Sequence, residues 1–591
     1  MLTGSGSGWT NVGTLAVGST GTSNSLSVLN GASLVNTSLI IGSNSSLNNL
    51  TVSGSNSRIT NTGNFVVGLN GNLNSAMLSN DAVVYNTSAY IGSNSAFNSI
   101  IVNGSKWTNY GELVLGATGS GNNNSMTVTN ASTVYNTTAV IGNLSGANSN
   151  RVTVSGANSL WYNIGQVTVG ANSTWNQLVV ATNGTVYANG LTISEQNVAN
   201  NSVTNDGGFL FVTNAGTTSV LDARFGALVM NSGLIVADRL LMTNTSSRLT
   251  FNNGRIESSG FIYSNAQDLT IGSGSAASVL NLLAGNHVMS NPANTFYLGQ
   301  NSAGGYVYLT NGTSRYVFNF PTVRIATTAN SRGEFRSGSD NQFSSLSIND
   351  LDIGTGSGAY GIARFVGTNR ATSFAAININ NLTLGAVKGT GILELANQQF
   401  DVTGGSLNVG VNNQGGFSQI TLDNATLKGS LAGNLSIGQG NADFNGINYG
   451  VIIGTNQASV SNLVISGELN VGHGTSAHGN FVVTNATGGG AVQVGTETRV
   501  GSGIGAIGVL ALDLNGGAFS VMPTSGNTLS VGQNRAASGY MFITNMGAGS
   551  ILGNQNTRNS YAQIGNEGGT GTVILAGGDW LGKFEQFNVG N

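Results

Sequence analysis

Asp350 and Asp352 are the closest approach to a catalytic pair in the 591-residue sequence. Carboxylates two residues apart share one face of a strand, because successive side chains alternate. Such a pair can supply the general acid and base of polysaccharide cleavage. It lies in the most charged stretch of the chain, with Arg315, Arg324, Arg332, Glu334, Arg336, Asp340, Arg364 and Arg370. So many nearby arginines read more simply as a charge-balanced, solvated face. A carbohydrate-active enzyme with its site near 315–370 is therefore the alternative reading, not the leading one. Asp222, Arg224, Asp238, Arg239, Arg248, Arg255 and Glu257 form a second cluster of the same kind.

His287, His473 and His478 are the only histidines. The last two sit in a Gly-rich turn with no third ligand at metal-site spacing, so no metal is expected. With no Cys there are no disulfides and no thiolate sites. Gly272-Ser273-Gly274 is not a phosphate loop, because no helical pattern follows it. The Ca²⁺-binding nonapeptide needs an Asp in every repeat, and the regular units lack it. No cofactor is expected. Triplets such as Asn36-Thr37-Ser38 follow from an Asn- and Ser-rich composition and do not establish glycosylation.

Any such residue must be positioned by short strands. Charged residues are 7% of the chain, against about 25% in ordinary domains, while hydrophobic residues are 39%. Apolar residues alternate in bursts such as Leu26-Ser27-Val28 and Leu50-Thr51-Val52, the period of a half-buried strand. Only 3 Pro interrupt a chain with 89 Gly, as strands that must donate every N–H require. The net charge of −3, without a basic stripe, argues against nucleic acid. No apolar run reaches membrane-spanning length.

The strands repeat. An apolar-Gly step recurs at Gly18, Gly42, Gly68, Gly92, Gly116, Gly142 and Gly170, at spacings of 24, 26, 24, 24, 26 and 28. An Asn two residues before an apolar–x–apolar strand keeps step at Asn24, Asn48, Asn74, Asn98, Asn124, Asn150 and Asn176. A third marker closes each unit at Asn36, Asn61, Asn86, Asn109, Asn136, Asn163 and Asn189. Units alternate: Trp9, Ile59, Trp107 and Trp161 fall two residues before an Asn, whereas Val35, Tyr85 and Tyr135 fall one residue before it. The larger repeat is thus about 50 residues, holding two units of about 25.

Each unit carries three strand signals, in the first case Leu15–Val17, Leu26–Val28 and Ser33–Val35. This predicts an all-β, right-handed parallel β-helix, with about three short strands per coil of roughly 25 residues. Coils spaced about 4.8 Å apart would give a rod on the order of 100 Å. At least one Asn row is expected to form an amide ladder satisfying buried polar groups. Trp9, Trp107, Trp161, Tyr85 and Tyr135 are expected to be stacked packing residues, an exposed sugar-stacking platform being the alternative.

Regularity divides the chain into 1–200 with regular repeats, 201–271 as a less regular transition, and 272–591 with coils of variable length. In the last part the apolar-Gly step is read at Gly299, Gly354, Gly385, Gly410, Gly438, Gly472, Gly495, Gly532 and Gly565. One continuous solenoid, with ends that look cut from a longer protein, is the expectation.

The phrases Asn24-Ser25-Leu26-Ser27-Val28-Leu29-Asn30-Gly31 and Trp107-Thr108-Asn109-Tyr110-Gly111-Glu112-Leu113-Val114-Leu115-Gly116 resemble the β-strand repeats of autotransporter passengers and related bacterial surface proteins. The resemblance is closest over 9–190. It implies export, a parallel β-helix and a surface role such as adhesion. A signal peptide and a C-terminal outer-membrane barrel, part of that layout, are not read in this sequence. The function expected is a structural or adhesive extracellular rod acting through self-association or cell-surface glycans and proteins.

Overall fold

The computed structural model describes all residues except 311–313, 339–340, 367–376, 441–446, 485, 487–489, 524–525, 554–559 and 591, and the side chains of 314, 341–345, 377–378 and 580. Asp340 and Arg370 therefore lie outside the described residues. The chain divides into two compact units, Met1–Gln267 and Asp268–Asn591. Both are built from parallel strands stacked as a β-solenoid, and among the described residues there is no helix.

In the first unit one coil consists of Lys106–Asn109, Glu112–Leu115 and Ser125–Thr129. These pair in register with Thr133–Asn136, Thr138–Ile141 and Arg151–Ser155 of the next coil. Three sheets thus run across the coils: the first holds Ser125–Thr129, the second Lys106–Asn109 and the third Glu112–Leu115. Inward positions stack as columns. Leu26, Leu50, Ala76, Ile100, Met126, Val152 and Leu178 follow one another in register, all buried. Burying each larger member removes apolar surface worth about 1.5–3 kcal/mol. The alternation Leu-x-Val therefore sets which face of each strand points inward.

The second unit keeps three strands per coil. Thr390–Ala396, Gln399–Gly404 and Leu407–Val409 pair with Phe417–Asp423, Thr426–Leu431 and Leu435–Gln439. Its corner differs. Gly305, Gly333, Gly361, Gly391, Ser418, Gly450, Gly479, Gly508, Gly539 and Gly571 form a single in-register column. These glycines pack against the left-handed residue that ends the preceding strand. A Cβ on Gly508 would stand 2.1 Å from the Gly501 nitrogen and 2.3 Å from the Val471 carbonyl oxygen.

The corner completes one reading of the sequence, in which some coils lack the glycine marker, and corrects another. The turn missing between Gly299 and Gly354 is made by Ala326, left-handed at φ 52, whose N–H donates to the Leu298 carbonyl at 2.8 Å. Gly495 does not belong to the row: its N–H donates to the Ile465 carbonyl, while Gly501, after Val500, takes the corner position.

Candidate functional site

The ladder row comes first, because it sets the geometry of the coils. Each Asn sends two donors, its backbone N–H and its Nδ2, to the Oδ1 of the next Asn. The backbone bonds run from Asn24 through Asn48, Asn74, Asn98, Asn124, Asn150 and Asn176 to Asn201 at 2.8–2.9 Å. The side-chain bonds measure 2.9–3.2 Å. Asn201 is a member that sequence reading missed; it lies 25 residues after Asn176, and that spacing was the available signal. The row ends there because the strand of the next coil is preceded by Gly226, which offers no side-chain amide.

The Gly and Asn markers prove to be one device. A Cβ on Gly68 would lie 2.3 Å from the Asn98 amide carbon, and the other marker glycines meet the ladder the same way. Gly68 also holds φ +77, where a Cβ is strained.

The third marker row behaves differently. Asn86 Nδ2 donates to Asn109 Oδ1, and Asn136 Nδ2 to Asn163 Oδ1 at 2.5 Å, so its members join in pairs. Trp107 Nε1 donates to Asn86 Oδ1 at 2.6 Å, and Trp161 Nε1 to Asn136 Oδ1 at 2.7 Å. Ile59 stands at the equivalent place beside Asn36 and Asn61 and has no side-chain N–H to give. Both of those buried amides lack a partner.

The predicted aromatics separate onto opposite faces. Trp107 and Trp161 are fully buried in an inward column, with Val134 between them. Trp107 meets Phe65 edge-on at 5.8 Å. Trp9, in the first coil, is 42% exposed. The tyrosines point outward from the second sheet. Tyr85, Thr108, Tyr135, Tyr162, Tyr187 and Phe211 form one outer column. Tyr135 stacks on Tyr162 at 5.7 Å and 8°, and Tyr187 on Phe211 at 4.6 Å and 12°. Arg58 covers the Tyr85 ring at 4.6 Å, and exposed Tyr110 stacks beside it. Aromatic surface is thus outside, on tyrosines, while the tryptophans are core. The neighbouring Tyr110, Tyr162, Tyr187 and Phe211 were not singled out from the sequence.

Asp350 and Asp352 are each already engaged. Asp350 accepts from Asn381 Nδ2 at 2.6 Å and from Asn349 Nδ2 at 3.2 Å. Asp352 faces Arg324 at 3.8 Å. Burial pushes its carboxyl above the usual range, against the opposing pull of Arg324 and a Thr383 hydrogen bond. In the same stretch Glu334 pairs with Arg336, and Arg364 reaches Glu394 at 3.5 Å. The second charged cluster resolves into separate contacts. Asp222 pairs with Arg224 at 3.0 Å, Glu257 with Arg255, and Asp238 instead accepts two backbone N–H groups.

A tighter charged group, missed in the sequence, lies in the second unit. Arg499 bridges Glu468 at 2.6 Å and Glu497 at 2.8 Å, and Ser530 Oγ donates to Glu497 at 2.5 Å. Both glutamates stand four residues before a corner glycine, Gly472 and Gly501, the alignment that would have exposed them. One guanidinium holds the two carboxylates together and leaves a net charge of −1, with Ser530 and Asn470 as further donors.

The histidines are dispersed. His287 stacks on Tyr316 at 5.0 Å and donates to the Leu283 carbonyl at 2.8 Å; burial pushes its pKa down to about 4. His473 bonds the Ser502 carbonyl at 2.7 Å and is lowered by burial first and Arg499 second. His478 meets Tyr449 edge-on at 5.0 Å and is lowered by burial. Among the described residues no cluster of three His, Cys, Asp or Glu could hold a metal. Nor is any described helix long and apolar enough to cross a membrane.

The fold and its ladders define a parallel β-solenoid repeat protein. Searches against protein families, curated proteins and solved structures each return no match to this chain.

Proposed function

We propose that the chain is a structural and adhesive rod of a bacterial surface or secreted protein, akin to an autotransporter passenger, working outside the cell through many weak contacts. The observation that carries this reading is the repeated, neutral outer surface of Met1–Gln267. On the first sheet Ser27, Thr51, Met77, Ile101, Thr127 and Thr153 follow in register, and on the second runs the tyrosine column. A surface that recurs at each coil with small hydroxyls, apolar side chains and tyrosines offers similar weak contacts many times, and linked contacts multiply into avidity. The partners would be cell-surface glycans or proteins, or further copies of the chain. The scarcity of Lys and Arg, 19 in 591 residues, disfavours nucleic acid.

The experiment is display of the chain on beads and on a non-aggregating bacterial host, with electron microscopy of the purified chain across a concentration series. Concentration-dependent clustering, filaments or capture of cells is expected. Monodisperse particles, together with beads that neither cluster nor bind cells, would sink the adhesive reading.

A further inference from the structure

The outer tyrosine column does not run evenly. Tyr135 on Tyr162 and Tyr187 on Phe211 are nearly parallel, so each ring covers its neighbour's face. Between them, Tyr162 and Tyr187 tilt by 47° at 5.8 Å. The stack opens at this step, and Tyr162 is 38% exposed. A cavity of about 230 Å³ lies there, lined by Tyr162, Ile164, Tyr187, Asn189, Thr213 and Asn214 among others.

Its far wall is an insertion. One residue, Thr137, links the second sheet to the third in one coil, Ile164 and Gly165 in the next, and Asn189 in the one after. After Val212 the chain instead makes a loop to Val220. The loop is held in place. Asp238, 8% exposed, accepts the N–H groups of Asn214 at 3.0 Å and Ser219 at 3.1 Å. Asn214 Oδ1 accepts from the Thr218 N–H at 3.0 Å, and Ser219 Oγ donates to Asn189 Oδ1 at 3.0 Å. A buried carboxylate committed to a surface loop fixes the wall before any ligand arrives, and preorganisation lowers the entropic cost of binding.

The lining chooses the ligand. It contains no charged side chain. Two splayed tyrosine rings and the Ile164 side chain, 43% exposed, present apolar surface beside phenol hydroxyls and amides. A neutral sugar ring has the matching halves, a C–H face and a rim of hydroxyls. The volume is below the usual range of about 300–1,000 Å³ for small-molecule pockets, which suits one ring of a chain whose remainder lies along the outer column. We propose that the Tyr162–Tyr187 groove is a binding site for a neutral saccharide, one ring seated against the two tyrosines and the 213–219 loop. This deepens the adhesive reading by naming its ligand class.

The test is saturation-transfer NMR and calorimetry on the whole chain. The probes are neutral oligosaccharides of glucose, galactose, mannose, xylose and N-acetylglucosamine, with oligogalacturonate as the charged counterpart. At least one neutral series is expected to bind. Tyr187→Ala should weaken it at least tenfold, and Tyr85→Ala, outside the groove, should leave it unchanged. Because Tyr187→Ala also removes a stacking partner, the second variant is Ala215→Trp: Ala215 lines the groove from the loop side, so the indole fills the groove while every ring of the column is kept, and binding should be abolished. Three results would overturn the proposal: no neutral probe binding at millimolar concentration, binding undiminished in Ala215→Trp, or equal binding of oligogalacturonate. Saccharide binding by a chain that clusters no cells would leave the groove standing and remove the adhesive reading. Clustering without any saccharide binding would do the reverse.

Discussion

At the turn after Val67, the space where Gly68 would carry a Cβ is taken by the amide of Asn98 from the next coil. At the turn after Val471, the same space on Gly472 is taken by the Ile507 carbonyl and the Gly508 backbone. Both units bring a left-handed glycine against the following coil. In the first unit, as far as Asn201, the contact is a side-chain hydrogen-bond ladder; in Asp268–Asn591 it is backbone on backbone, except at Gly385, which meets the Ser418 hydroxyl. The first device needs a particular amide at a fixed offset, so coil length barely varies. The second needs only a residue no larger than Ser, and its column tolerates steps of 27 residues from Gly391 to Ser418 and 32 from Ser418 to Gly450. Close packing without a specifying polar contact leaves loop length free.

The largest effect is expected from Gly508→Val. Its side chain has backbone on two sides that cannot yield, and a loss of about 4 kcal/mol or more is predicted. Hydrogen exchange should rise in Ala477–Thr544 and stay unchanged in Met1–Gln267. Exchange rising in both units would break the comparison.

Asn98→Ala should be next. It leaves the backbone N–H of Asn74 without its acceptor and removes one further bond each from Asn74 Nδ2, which keeps the Ser45 and Gly71 carbonyls, and from Asn124 Oδ1, which keeps the backbone N–H of residue 98. At about 1–3 kcal/mol for the unsatisfied buried donor and about 0.5–1.5 kcal/mol net for each of the two other lost bonds, roughly 3 kcal/mol is predicted. Denaturant unfolding resolved by exchange should place the loss in the first unit alone.

Acid should also separate the two. All three histidines belong to the second unit. The folded pKa of His287, about 4, lies below the ordinary 6.5, so the unfolded chain binds more protons between those values. Its contribution is complete above pH 6.5 and declines as pH falls toward 4, by up to about 3 kcal/mol. Urea midpoints followed by exchange across this range should fall in Asp268–Asn591, and His287→Phe should flatten the slope. An unchanged slope in that variant would remove His287 from the account.

The smallest effect is a gain. Ile59→Trp supplies the indole N–H that Trp107 and Trp161 give to their neighbours, here for Asn36. About 1 kcal/mol of stabilisation is expected, read as a higher urea midpoint for the first unit. A lower midpoint would mean that this coil has no room for the larger ring.

The first unit was legible because its devices are spelled in uncommon letters at fixed offsets. Asn98 and Trp107 stand out against their surroundings, and their spacing gave the coil. The second unit is written in glycine, and 89 glycines hide a column of nine. Ala326 does a glycine's work without its letter, and Gly495, lying near Gly501, takes the corner's place in the sequence pattern but not in the fold. The tyrosine face was within reach. Trp at two residues before Asn and Tyr at one residue before it have opposite parity on a strand, hence opposite faces; grouping them as one packing set overlooked that. The tilt at Tyr187 and the Asp238-pinned loop depend on contacts between coils, which no local pattern carries.

The bond from Trp161 to Asn136 crosses from one coil to the one before it, and so does that from Trp107 to Asn86. The smallest segment that can be copied or deleted without breaking such a bond is therefore a double coil of about 50 residues, not a single coil of about 25. A gene that grows or shrinks by slippage between repeats would change the length of this protein in steps of two coils. Natural variants differing by an odd number of coils should carry an orphaned amide at the join, as Asn36 does beside Ile59.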